Sequence, residues 1–121
     1  MTGLPKLYFV TGAVFALLGM VWGIQMSATH DHTLSPAHGH LNLIGFVAMT
    51  LFGAYYALVP GAAASRLARV HYGLTVLAVV TLIPGIALAI ASDWAVLAQI
   101  GSLLTVGSMA LYLWIVLRTS R

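Results

Sequence analysis

The chain has 121 residues, of which 61% are hydrophobic and only 6% charged, with a net charge of +3. Its mean hydropathy is +1.02. A soluble domain carries about a quarter charged residues, so this composition excludes one, and the small positive excess is a matter of membrane topology rather than of nucleic-acid binding. The chain has no cysteine, which excludes disulfides, thiolate metal sites and covalently attached c-type haem.

A membrane-spanning helix needs about 20 largely apolar residues. Residues 1–121 divide into four such runs with short connections, predicting one all-α integral membrane domain. The first run, from about Leu4 to Ala28, has Pro5 in its opening turn, where a missing N–H does no harm. It exceeds the apolar core of about 7–15 residues in a secretory signal and is expected to be retained. Gly12, Ala16, Gly19 and Gly23 fall at three- and four-residue spacing, a face that allows close helix approach. A loop follows, Thr29 to Ser35, carrying His30, Asp31 and His32.

The second run is AHGHLNLIGFVAMTLFGAYYALVP, residues 37–60, introduced by Pro36. The third, about 70–91, contains Pro84–Gly85, which predicts a kink or loosened turn. His71 at its start is expected to be an interfacial side chain with a wet tip. The fourth runs from about Trp94 to Leu117. Lys6, Arg66, Arg69, Arg118 and Arg121 then fall on one side, Asp31 and Asp93 on the other. The positive-inside rule places both termini in the cytoplasm and the histidine-rich loop on the outer, periplasmic side of a prokaryotic inner membrane. Tyr8, Tyr55, Tyr56, Tyr72, Tyr112 and Trp114 read as an inner interfacial belt, with Trp94 at the outer interface.

Ionisable groups inside a bilayer are costly and mark functional positions. Gln25, His38, His40, Asn42, Gln99 and Ser102 all fall in the outer third. Gln25, Gln99 and Ser102 are expected to hydrogen-bond between helices, whereas His38, His40 and Asn42 make the candidate site. Two residues apart on a helix, His38 and His40 point about 200° apart. One ion cannot be chelated by both, so either one is a ligand or each serves its own flank.

The stretch HLNLIGFVAMTLFGAYYALVP resembles the second transmembrane helix of haem-copper oxidase subunit I, in the nitric oxide reductase branch. There a histidine opening an H-x-N-L helix ligates the low-spin b haem, and the match implies that role for His40. His38-Gly39-His40 is also similar to the HxH of a later helix in that family, whose histidines bind haems on opposite flanks. The family's subunit has further helices with copper-ligating histidines, and this chain has neither, so alone it is not an oxidase of that type. The family fold consists of three four-helix arcs. The resemblance therefore implies that this chain equals one arc and that a homotrimer would imitate the whole, with b haems held by His38 and His40 between protomers.

On that basis the expected function is b-haem binding for electron relay or for redox or gas sensing, with a redox partner. One alternative is an outer copper or zinc site of His30, Asp31 and His32 with one of His38 or His40, since imidazole and carboxylate suit these ions. Another is a cofactor-free accessory subunit of a respiratory complex whose histidines line an interface or respond to pH.

Overall fold

The computed structural model describes Met1 and residues 3–119, and every element among them is a helix. Four are long and apolar enough to cross a membrane: α1 (Gly3–Thr29), α2 (Ser35–Leu58), α3 (Arg66–Ser92) and α4 (Val96–Thr119). α3 starts at Arg66 rather than Val70 because Ser65 caps it, its hydroxyl accepting the Ala68 amide at 3.2 Å. A single helical turn, Pro60–Ala63, joins α2 to that cap. Arg121 lies outside the described residues.

Successive helices run antiparallel. Gly12 faces Thr50 and Gly53 faces Tyr8 across α1 and α2, while Gly85 faces Ala98 and Gly101 faces Leu82 across α3 and α4. Lys6, Arg66, Arg69 and Arg118 therefore gather at one end of the bundle, and Asp31 and Asp93 with the loop histidines at the other. Each acidic end closes on a left-handed residue, His30 (φ 56) after α1 and Asp93 (φ 57) after α3.

In lipid, helices associate by close packing rather than by hiding apolar surface from water. The expected small-residue face on α1 is used this way: Gly12, Ala16 and Gly19 are buried. The approach of α3 to α4 is closer still. A Cβ on Gly101 would stand 2.5 Å from the Leu82 Cα, and one on Gly85 would stand 2.6 Å from the Ala98 nitrogen. Pro84 does not interrupt α3, which is helical throughout Arg66–Ser92. It faces outward while Gly85 faces α4, so the Pro–Gly pair lies at a helix contact.

α2 changes pitch along its length. Ser35–His40 and Met49–Leu58 are α-helical, but Leu41–Ala48 between them is a π-helix, in which each bond reaches one residue further than in an α-helix.

The tyrosines correct the expectation of an interfacial belt. Tyr8 and Tyr56 are wholly buried, whereas Trp94 and Trp114 are each 50% exposed. The rings pack on each other inside the bundle, Tyr8 against Tyr56 at 5.2 Å and edge-on to Tyr72 at 5.1 Å between centroids. Trp114 instead carries the Arg118 guanidinium 5.1 Å above its ring.

The glycine seam is testable by bulk. Gly101→Leu should lower the midpoint of thermal unfolding in detergent, by an amount equivalent to about 1–3 kcal/mol of overpacking. Gly73→Ala, where an added Cβ meets nothing within 4 Å, should leave the midpoint unchanged or raise it, as Ala over Gly does in a helix interior.

Candidate functional site

The α-helical opening turn of α2 sets the two histidines. Pro36 sits in its first turn, where its fixed φ favours helix entry. Because His38 and His40 both precede the π-helical stretch, the ordinary α-helical rotation separates them, and they point to opposite sides.

His38 turns inward. It is half-buried, with Nε2 2.9 Å from the Gly19 carbonyl oxygen. A carbonyl only accepts, so Nε2 carries the proton. The imidazole edge meets Trp22 at 6.1 Å and 83°, and a Cβ on Gly23 would come within 3.1 Å of Nε2. Asn42 lies one turn further along, its amide 3.3 Å from the same Nε2 but not bonded to it while Nε2 donates to Gly19, and its side chain fills the space a Cβ on Gly19 would take. Gly19 and Gly23 thus form a notch on α1 that accepts His38 and Asn42 together.

His40 turns outward. It is exposed, and its Nδ1–H donates to the Pro36 carbonyl at 2.7 Å. That bond fixes both tautomer and ring orientation, leaving Nε2 with a free lone pair directed away from the chain. A backbone carbonyl on one imidazole nitrogen is the usual support for metal ligation through the other.

The loop residues do not join them. Asp31 is tied into its own turn, accepting from the Thr33 hydroxyl at 2.6 Å and the Thr33 amide at 3.0 Å. The Thr33 hydroxyl, then the amide, hold the Asp31 carboxyl below its usual range. His30 and His32 are exposed, and among the described residues no three His, Cys, Asp or Glu side chains converge as a metal site. The expected interhelical bonding of the outer polar layer is corrected as well. Gln25, Gln99 and Ser102 are exposed, and the Ser102 hydroxyl donates to Ala98 of its own helix at 2.8 Å.

His71 departs furthest from expectation. It is 0% exposed rather than wet-tipped. Its Nδ1 lies 2.9 Å from both the Tyr8 and Tyr56 hydroxyls, and Tyr112 stacks on it at 5.7 Å and 23°. Nε2 is buried without a partner, a feature that costs about 1–3 kcal/mol. The sequence does carry a signal for this arrangement. At 1.5 Å per residue, Tyr8, Tyr56, His71 and Tyr112 fall at one depth on four different helices.

No protein-family model matches the chain, nor does any curated protein or solved structure.

Two measurements check this geometry. Long-range ¹⁵N–¹H spectra at neutral pH should show His40 protonated on Nδ1 and His38 on Nε2; the reverse pattern for either would contradict the assigned hydrogen bond. Thr33→Val should move the Asp31 titration, followed by carboxyl ¹³C shift, up toward the ordinary aspartate range. Because the folded value is depressed, the Thr33 bonds support the loop above the unfolded pKa, and that support fades as pH falls through the folded one.

Proposed function

We propose that this chain is a b-type haem-binding membrane protein that relays electrons or senses a redox state or a gas, with haem held at the histidine end of α2 between copies of the chain. The observation that carries the proposal is His40: exposed, oriented by the Pro36 carbonyl, and offering an unprotonated Nε2 away from its own bundle. An imidazole presented in that way suits an iron outside the protomer. The likeness of the α2 sequence to the haem-ligating helix of haem-copper oxidases supports the same assignment.

His40 is the axial ligand in this reading, and the second ligand is a histidine of a neighbouring copy. His38 serves the fold first, through Gly19, and Asn42 holds the notch in which it lies. His38 would ligate through Nδ1 with that bond kept, or through Nε2 by giving it up. A homotrimer would place three such α2 ends around one axis. It would also cover Gln25 and Gln99, amides otherwise exposed on apolar helices, where polar groups are expensive. The outer side is the periplasmic face by the charge distribution, and lysine or arginine among the described residues lies at the other end; the Thr33 donors are held by Asp31, so the Ser35 hydroxyl would face the propionates. A b haem with two imidazole ligands supplies one-electron exchange without an open iron position, which favours relay or sensing over turnover.

Purified protein expressed with ample haem should show a Soret band and reduced-state α and β bands. His40→Ala should remove most of the Soret absorbance per protein, while His30→Ala with His32→Ala should retain it. An absent Soret band in the wild type would overturn the reading, and zinc or copper retained in its place and lost with His30 and His32 would redirect the site to the loop.

A further inference from the structure

At the basic end of the bundle, the start of α1, the end of α2 and the start of α3 enclose an open crevice of about 820 Å³. That is within the range of pockets that hold small molecules. Leu4, Leu7, Ala57 and Pro60 make its walls apolar, and Tyr56 and Tyr72 add ring surface. Neither tyrosine hydroxyl is available to a ligand: Tyr72 is bonded to the Thr11 hydroxyl at 2.7 Å and Tyr56 to His71 at 2.9 Å. Arg69 is the charged side chain among the described lining residues, so the crevice combines an apolar wall with a cation.

Among the described residues Arg69 has no acidic partner within reach. The chain holds two acidic residues. Asp93 lies beyond the far end of α3, about 36 Å away at 1.5 Å per residue, and Asp31 follows the same far end of α1. Arg66, three residues before Arg69 and so on a neighbouring face, and Lys6 in the first turn of α1 add positive potential. No described side chain supplies an anion to Arg69, and the apolar wall beside it suits a ligand that carries a hydrocarbon tail.

We infer that this crevice binds one anionic phospholipid, with the headgroup phosphate on Arg69 and an acyl chain along Leu4, Leu7 and Ala57. A zwitterionic lipid of the same chains would bring a second cation to a rim already positive, so net charge should decide between them. Arg118 offers a matched comparison, since it lies at the same end but is engaged with Trp114.

The test uses the full chain, delipidated in detergent and titrated under native mass spectrometry with phosphatidylglycerol and phosphatidylcholine of identical acyl chains. Phosphatidylglycerol should bind with one-to-one preference. That preference should fall about tenfold in Arg69→Gln, the loss expected for one charge-assisted contact, and by less than twofold in Arg118→Gln. Ala57→Trp, or Ala64→Trp if the first does not fold, should reduce binding of both lipids by filling the crevice. Equal binding of the two lipids, or equal losses in the two arginine variants, would overturn the proposal. So would inorganic phosphate competing as strongly as the lipid, since the crevice would then be an ion site with no use for a tail.

Discussion

Inside a bilayer, one helix gains little by covering another with apolar side chains, because lipid already offers the same surroundings. What remains is contact at short range, and every other feature of this protein depends on where that contact is permitted. Gly85 and Gly101 bring α3 and α4 so close that a Cβ at either would enter the opposing backbone. The α1 seam of Gly12, Gly19 and Gly23 is looser, since it meets side chains first, with main chain no nearer than 3.5 Å at Gly12. The α3–α4 pair is accordingly the more closely packed half, and the α1–α2 pair is the half whose groove contains the histidines.

That groove explains why neighbouring histidines have separate tasks. His38 and Asn42 occupy a notch that only residues lacking side chains could form, so removing them would leave the notch empty and the Gly19 carbonyl without its side-chain donor. His40 rises from the same turn, yet the only group it needs from the protein is the carbonyl of Pro36, four residues earlier. One histidine holds the helix pair together, and that stability is what lets the other present a defined lone pair outward. At the opposite end, His71 joins α1, α2 and α3 through Tyr8 and Tyr56. It gives directional bonds to a core that otherwise relies on shape.

Much of this was legible in the sequence because its signals are additive. Four apolar runs, five basic residues and a repeated small-residue spacing each survive local error, so the span count, the antiparallel order and the α1 seam follow. The opposed directions of His38 and His40 follow too, since the turn that carries them is regular. The rest depends on relations between helices. Nothing local to His71 says whether it meets water or Tyr8, because a histidine near the start of a helix is interfacial or central according to what lies beside it. The amides of Gln25 and Gln99 are expected to find partners across helices, yet both lie on exposed faces. Pro84–Gly85 reads as a kink or loosened turn when taken alone, and its close contact emerges once α4 is beside it.

The π-helical stretch has its own consequence. An α-helix is rotationally stiff, so the direction of a side chain at one end dictates the direction of those at the other. Eight residues of wider winding between His40 and Met49 shift that phase. The outer turn of α2 is thereby aimed independently of the inner turn that bears Tyr56. A single chain can in this way keep a fixed aromatic core at one surface while the orientation of its histidines at the other is free to be selected, one inserted or deleted residue at a time.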